Sequence, residues 1–133
     1  MEEYGNLIHL KTLLVDDDEF YRSALKTAFS EKDYYMQTAA SAEEGLKALE
    51  TEKFDIIIIN FDLPGISGLE FLKQVMVSYP HVITILISAF GDEETISRTY
   101  EIGVDDFLQK PFSLQTLLAT LAVHIRKVDS LMV

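Results

Sequence analysis

The stretch FDIIIINFDLPGISG, from Phe54 to Gly68, decides the fold of this chain. Its four consecutive isoleucines, Ile56 to Ile59, form an apolar run that is too short for a lone amphipathic helix. β-Branched residues pack well in a pleated sheet, and a run without polar positions predicts a strand buried on both faces. The polar residues Asn60 and Asp62 follow at once, and Pro64-Gly65 forces a turn. We therefore predict a central parallel strand ending in a polar loop, which is where open α/β proteins place their functional groups.

The size and composition of the chain indicate one globular domain. The chain has 133 residues, of which 48% are hydrophobic and none is cysteine. This excludes a disulfide scaffold and thiolate metal sites. No segment reaches about 18 continuous apolar residues, and the N-terminal sequence lacks the layout of a signal peptide. We therefore expect a cytoplasmic protein that does not enter a membrane.

The formal net charge of −11 excludes one class of partner. Nucleic-acid binding depends on Lys and Arg side chains that neutralise phosphates, so a chain this acidic is repelled by DNA and RNA. We expect no direct contact with nucleic acid. Most of the acidic residues are typical of solvated helix faces, but the three in a row at 16–18 directly follow an apolar run and need a further reason.

Apolar runs alternate with helical patterns along the rest of the chain. Ser41 and Ser67 each precede a glutamate by three residues, which is the capping-box pattern of a helix start. Asp92 is expected to cap a fourth helix, which ends before Gly103, and we expect its Ile96 and Tyr100 to face inward. The expected strands are 12–15, 34–40, 56–59, 82–87 and 106–109, and the expected helices are about 19–31, 42–52, 68–79, 93–102 and 114–132.

This alternation predicts an α/β fold with a single doubly wound, five-stranded parallel sheet and five helices. Strands that alternate with helices form βαβ units, whose crossovers are right-handed. We expect residues 1–10 to be a lead-in and residues 11–127 to form the domain. Residues 128–133 are either the end of the last helix or a connector to an output domain absent from this chain.

Four of the predicted strands end in polar residues. The acid pair Asp16-Asp17 follows the first strand, Asn60 the third, Ser88 the fourth and Lys110 the fifth. If these strands are neighbours, their side chains meet in one crevice, because all strands of a parallel sheet end at the same edge. Oxygen-rich acidic clusters suit Mg²⁺. A hydroxyl and a lysine beside them suit the oxygens of a transferring phosphoryl group.

In this combination the residues resemble the receiver domain of two-component response regulators along nearly the whole chain. The resemblance assigns Asp16 and Asp17 to the metal-binding acid pair, and Ser88 and Lys110 to the hydroxyl and lysine of the phosphorylation site. It implies Mg²⁺ as the cofactor and a flavodoxin-like strand order 2-1-3-4-5. It also implies a cis peptide bond between Lys110 and Pro111.

The same resemblance assigns three further roles. Asp62 corresponds to the residue that offers its backbone carbonyl to the metal. Ser88 and Phe107 correspond to the switch pair, in which the hydroxyl moves toward the phosphoryl group and the aromatic ring turns inward. The aromatic lies three residues before Lys110, and because phenylalanine is more hydrophobic than tyrosine we expect Phe107 to stay buried.

The departure from the family pattern falls on the acceptor. Asn60 stands where the resemblance requires the phospho-accepting aspartate, four residues before Pro64-Gly65. Its amide is neutral and a poor nucleophile, so we expect no phosphorylation there and weakened or absent Mg²⁺ binding. Asn60 is either native, as in a pseudo-receiver, or a replacement of aspartate. Asp62 is a less favoured substitute acceptor, since strand period puts residues 60 and 62 on the same face.

The resemblance therefore predicts a phosphorylation-silent receiver domain that acts by protein–protein interaction and is not an enzyme. The expected partners are a sensor histidine kinase or an output domain, bound through the fourth helix, the fifth strand and the fifth helix. A homodimer remains open.

Two other functions, those of a phosphatase and a flavin carrier, are alternatives for this sequence. A haloacid-dehalogenase-like phosphatase would use the Asp16-x-Asp18 spacing, with Ser88 and Lys110 in the required order, but the sequence lacks its further acidic motif after the lysine. A flavodoxin-like flavin carrier would need a hydroxyl- and amide-rich loop after the first strand, where this chain has three aspartates that repel phosphate. We expect no bound organic cofactor.

Overall fold

The computed structural model describes the backbone of residues 5–132 and the side chains of residues 7–125. A short 3₁₀ helix, Gly5–His9, precedes five strands that alternate with five α-helices. The strands are β1 (Lys11–Val15), β2 (Tyr35–Ala39), β3 (Ile56–Asn60), β4 (Ile83–Ser88) and β5 (Asp106–Gln109). The helices are α1 (Glu19–Glu31), α2 (Ala42–Thr51), α3 (Gly68–Ser78), α4 (Glu93–Ile102) and α5 (Leu114–Met132).

The five strands form one parallel sheet in the order β2-β1-β3-β4-β5. The predicted fold class and strand order are therefore confirmed. In the register of the sheet Val15 lies beside Ile59, and Asn60 lies beside Ile87. The carboxyl ends of β1, β3 and β4 consequently lie side by side at one edge.

The isoleucine run of β3 is buried on both faces, as its lack of polar positions predicts. Because side chains alternate along a strand, Ile57 and Ile59 pack in one core layer with α2 and α3 residues such as Phe71. Ile56 and Ile58 pack in the opposite layer with α1 and α5 residues such as Phe29. All four isoleucines have no exposed surface. The strand thus requires helices on both faces of the sheet.

The helix starts use the predicted caps. Ser41 Oγ accepts from the Glu44 N–H at 3.1 Å, and the Glu44 carboxylate accepts from the Ala40 N–H. Asp92 Oδ1 accepts from the Thr95 N–H at 2.7 Å at the start of α4. Gly103 ends α4 with a φ of 101°, a left-handed conformation that glycine adopts without steric cost.

One helix is rotated from its expected orientation. The prediction that Tyr100 faces the core is wrong: its side chain is 47% exposed, and the buried residue of α4 is Thr99. Thr99 satisfies its hydroxyl within the helix by donating to the Thr95 carbonyl at 2.8 Å. The Tyr100 hydroxyl donates to Asp106 Oδ1 on β5 at 2.9 Å, which keeps the ring at the rim of the sheet where its polar end is satisfied.

The 3₁₀ helix before β1 contributes to the core. Leu7 is 2% exposed and belongs to the same apolar layer as Leu14, Phe29 and Leu121. Part of the segment expected to be a lead-in is therefore packed on the domain.

One buried hydroxyl in the described part of the chain lacks a hydrogen-bond partner, that of Thr12 on β1. A buried hydroxyl without a partner costs about 1–3 kcal/mol in proteins, so we expect Thr12→Val to raise the free energy of unfolding by about 1 kcal/mol or more. The measurement is urea-induced unfolding followed by circular dichroism.

Thr84 provides the matched control, because it is a buried threonine on β4 whose hydroxyl is paired. Its Oγ1 accepts from the Asp105 N–H at 3.1 Å and lies 3.3 Å from Asp105 Oδ2. Thr84→Val should lower the free energy of unfolding by about 1–2 kcal/mol. The same sign of change in both variants would contradict this reading of Thr12.

Candidate functional site

The predicted polar residues meet at the carboxyl edge of the sheet in three pairs. Lys110 Nζ donates to Asp16 Oδ2 at 2.8 Å. Asn60 Nδ2 donates to Asp17 Oδ1 at 3.2 Å. In the third pair, Ser88 Oγ donates to Asp62 Oδ2 at 3.0 Å. Side chains that are up to 94 residues apart in sequence thus share one crevice.

Asp16 is the buried anchor of this crevice. Its side chain has no exposed surface, and both of its carboxylate oxygens are engaged: Oδ2 with Lys110 and Oδ1 with the Asp18 N–H at 2.9 Å. A buried carboxylate is costly unless it is paired and hydrogen-bonded, and Asp16 is both. The pair therefore fixes the loop after β1 against the end of β5.

Two residues of α1 that the sequence reasoning missed complete this corner. The Tyr21 ring lies under Lys110, with Nζ 4.2 Å from the ring centroid, a distance suited to a cation–π contact. Arg22 Nη1 donates to the Asp16 carbonyl at 2.8 Å. Both side chains are set by the start of α1, where Asp18 caps the N–H groups of Phe20 and Tyr21. The signal available in the sequence was their place in the first turn after the acid run.

Asn60 is 6% exposed and is held from two directions. Its side-chain amide faces Asp17, and its backbone carbonyl lies against the first residue of α3, Gly68. A Cβ at position 68 would lie 2.2 Å from the Asn60 carbonyl oxygen, so no larger residue fits there without movement of the loop. The backbone at Asn60 is therefore fixed against α3, and its side-chain amide is oriented by the bond to Asp17.

Ser88 is fully buried at the end of β4, and Asp62 is exposed in the loop after β3. The resemblance assigned a role only to the backbone carbonyl of Asp62, whereas in the structure the Asp62 side chain accepts a hydrogen bond from the Ser88 hydroxyl. Ser88 Oγ also accepts from the Phe90 N–H at 3.0 Å. The hydroxyl consequently links the loop after β3 to the loop after β4.

Phe107 lies on β5, partly buried and packed against the core layer of α2 and α3. The neighbouring Asp106 is the centre of a second polar group, on the face formed by α4, β5 and α5. It accepts from the Tyr100 hydroxyl and lies 3.0 Å from His124 Nε2. His124 is thus a satisfied histidine.

The electrostatics of Asp106 follow from these contacts. Burial acts to raise the pKa of the Asp106 carboxyl. Hydrogen bonds from His124, from the Phe107 N–H and from Tyr100 outweigh burial and hold this pKa below its ordinary value of 3.8. For Tyr100, burial and the bond to Asp106 raise the pKa of the phenol.

The donor set fits a magnesium ion only in part. Asp17, the Asn60 amide oxygen and the Asp62 backbone carbonyl are oxygen donors of the kind Mg²⁺ takes. Both oxygens of Asp16 are already engaged, and Asn60 brings no charge. Within the described residues no three His, Cys, Asp or Glu side chains are close enough together to hold a metal ion.

No helix in the described part of the chain is long and apolar enough to span a membrane.

Comparison with known proteins identifies relatives of this chain. It is 34% identical over 115 residues to the chemotaxis protein CheY of Listeria monocytogenes, covering 84% of this chain and 95% of that protein. It is 32% identical over 115 residues to the transcriptional regulatory protein AfsQ1 of Streptomyces coelicolor, covering 86% of this chain and 51% of that protein. The chain thus spans about half the length of AfsQ1, and 29% of a cyclic di-GMP phosphodiesterase of Thermotoga maritima that it also matches.

Solved structures give the same assignment. A CheY-like response regulator receiver domain protein from Methanospirillum hungatei superposes with a TM-score of 0.85 at 25% sequence identity, covering 91% of this chain and 97% of that one. The family model described as the response regulator receiver domain matches residues 12–122. The strand order and the match over most of the sequence agree: this chain belongs to the response regulator receiver domain family.

Proposed function

We propose that this chain is a phosphorylation-silent receiver domain, which acts in the cytoplasm through protein–protein contacts. One observation supports the proposal: at the end of β3, which we take as the acceptor position, the side chain is the Asn60 amide, and it donates a hydrogen bond to Asp17. The lone pair of an amide nitrogen is delocalised into the carbonyl, so the nitrogen does not attack phosphorus, and the amide oxygen is a weak nucleophile.

The charges of the crevice support the same proposal. A carboxylate at position 60 would lie within 3.2 Å of Asp17, next to buried Asp16, and such a cluster needs a cation. With Asn60 the cluster loses one negative charge, and Lys110 already neutralises Asp16. If Mg²⁺ binds, Asp17, Asn60 and the Asp62 carbonyl would hold it, and it would neutralise charge on phosphoryl oxygens. We propose that its affinity is weakened by the missing charge.

The partner surface that we propose is the face formed by α4, β5 and α5. Tyr100 and Val123 on this face are each 47% exposed. Asp106 on β5 contacts α4 through Tyr100 and α5 through His124, so one carboxylate links the three elements of the face. The relatives named a transcriptional regulator and a phosphodiesterase are longer than this chain. We therefore propose a sensor kinase or an output domain as the partner, with self-association of this face as an alternative. No observation favours the phosphatase alternative.

The acceptor chemistry is tested by Asn60→Asp. We expect the wild-type chain to gain no phosphoryl mass when it is incubated with Mg²⁺ and acetyl phosphate, because Asn60 cannot attack. Asn60→Asp should gain one phosphoryl group at position 60, located by tandem mass spectrometry. It should also bind Mg²⁺ more tightly, because a carboxylate adds a negative oxygen ligand; a gain of about 1.4 kcal/mol would correspond to tenfold in affinity.

Asn60→Ala is the control for this experiment, since it removes the amide without supplying a carboxylate and should remain unmodified. Phosphorylation of the wild-type chain at position 60, or the absence of modification in a folded Asn60→Asp variant, would refute the proposed function.

The polar tie on the proposed partner face has a defined pH dependence. Because the pKa of Asp106 is lower in the folded chain, its ionised form stabilises the fold above the ordinary value of 3.8. That contribution is lost as the pH falls from 3.8 through the lower folded pKa. We expect Asp106→Asn to be less stable than wild type at pH 6, and the difference to shrink below pH ~4.

The measurement for Asp106 is thermal unfolding of the two chains from pH 6 to pH 3. Glu101→Gln, an exposed residue of α4 on which no bond to Asp106 depends, is the control and should show no such convergence. A difference between Asp106→Asn and wild type that is constant over this range would contradict the assignment.

A further inference from the structure

We propose that Asp62 is a built-in anion that takes the hydroxyl of Ser88 in place of a phosphoryl group, and that it thereby fixes the loop at 89–92 and the ring of Phe107. This proposal rests on the proposed function for its signalling meaning, but the contacts that support it are independent of any phosphorylation.

The Ser88 hydroxyl has a single proton to donate. Its Oγ also accepts from the Phe90 N–H at 3.0 Å. Two acceptors compete for that proton, Asp62 Oδ2 at 3.0 Å and the Phe90 carbonyl at 3.1 Å. A charged carboxylate is a stronger acceptor than a neutral carbonyl, so the proton goes to Asp62. A buried hydroxyl is thus committed to an anion supplied by the chain itself.

The backbone next to Asp62 is anchored by two hydrogen bonds of Phe61. The Phe61 N–H donates to the Ile87 carbonyl at 2.8 Å, and the Gly68 N–H donates to the Phe61 carbonyl at 3.3 Å. Between them the chain turns at Gly65, whose φ is 76°. The loop therefore starts from a fixed point beside β4, from which the short side chain of Asp62 reaches Ser88. An exposed aspartate would otherwise be fully solvated.

The loop at 89–92 connects the hydroxyl to the aromatic residue on β5. Ser88 holds Phe90 by accepting from its N–H at 3.0 Å, and the next residue, Gly91, lies against Phe107. A Cβ at Gly91 would lie 3.0 Å from Phe107 Cε1 and 3.1 Å from Gln109 Oε1. The loop thus packs on the Phe107 ring with no spare space. A change in the hydrogen bonding of Ser88 consequently moves a backbone that is in contact with the ring.

The contact distance also separates this role from that of a substitute phosphate acceptor. For Asp62 to carry a phosphoryl group that Ser88 contacts, the phosphorus and its oxygens would have to fit between the two residues. At 3.0 Å the carboxylate and the hydroxyl are in direct contact. Asp62 therefore stands where the phosphoryl oxygen would be, and its carboxylate competes with an incoming anion.

The loop held in this way displays an apolar side chain, because Phe90 is 76% exposed. With Asp62 bonded to Ser88 in the unmodified chain, this loop has one fixed position and presents Phe90 without any chemical input. The proposal thus assigns the unmodified protein a single signalling state.

The test is a mutant cycle of Asp62→Ala, Ser88→Ala and the double variant, followed by NMR of the 89–92 amides and the Phe107 ring. Each single variant should shift these resonances, and the double variant should resemble Ser88→Ala, which also removes the acceptor of the Phe90 N–H. Each single variant should lower the folding equilibrium constant by about tenfold, because it removes a hydrogen bond to a charged group. The double variant should lower it by far less than the product of the two single effects.

Two further variants, one conservative and one control, accompany the mutant cycle. Asp62→Asn keeps the shape and a neutral acceptor and should give smaller shifts of the same resonances, which maintains the test if Asp62→Ala is poorly folded. Glu93→Gln removes an exposed carboxylate at the start of α4 and should leave the Phe107 ring unshifted. Additive effects of Asp62→Ala and Ser88→Ala, or an unshifted Phe107 ring in both, would overturn the proposal.

Competition with an external anion is tested separately in the Asn60→Asp background, with Mg²⁺ and beryllofluoride as the probe. If Asp62 occupies the anion position, Asn60→Asp/Asp62→Ala should bind beryllofluoride about tenfold more tightly than Asn60→Asp, because the Ser88 proton is then free for the added anion. Equal affinities would refute the competition. Failure of Asn60→Asp to be phosphorylated at all would count against the proposed function, while the mutant cycle, which uses no phosphate, would still decide the role of Asp62.

Discussion

The structure depends on the burial of β3 on both faces. Each of its four isoleucines is fully shielded from water, which is achieved only if helices cover both sides of the sheet. Parallel strands joined through helices on both faces must all end at the same edge. Polar side chains that follow β1, β3, β4 and β5 are therefore brought together by the packing of apolar ones. The crevice is a consequence of the core.

The second constraint is the charge gathered at that edge. Asp16 is completely buried, and its energy is acceptable only because Lys110 and a backbone N–H satisfy its two oxygens. In the other two polar pairs the carboxylates likewise accept hydrogen bonds, Asp17 from the Asn60 amide and Asp62 from the Ser88 hydroxyl. Every carboxylate of the crevice has a donor that comes from this chain. Hydrogen bonding in the crevice is thus satisfied within the chain, although the negative charge of its three carboxylates exceeds the positive charge of Lys110.

Much of this arrangement could be predicted from residue patterns, because it follows from strong local signals. The bounds of β5 and of α1 agree with the apolar spacing, and the caps at Ser41 and Asp92 are of the expected kind. The orientation of Tyr100 could not be predicted, since it depends on a bond to Asp106 on another element. Similarly, no local pattern shows that the Asp62 side chain reaches Ser88, 26 residues further along the chain. Contacts that depend on the relative placement of loops have no periodicity by which to find them.

The packing of Leu7 affects where this domain can be cut. The family match begins at residue 12, and a recombinant protein trimmed to that boundary would lose a leucine that is 2% exposed. The missing side chain would leave a void among Leu14, Phe29 and Leu121. Voids of this size cost about 2–5 kcal/mol, a large share of what holds a small domain together. Similarity between sequences thus marks the shared part of the fold, whereas the apolar core of this chain extends five residues further toward the N-terminus, to Leu7.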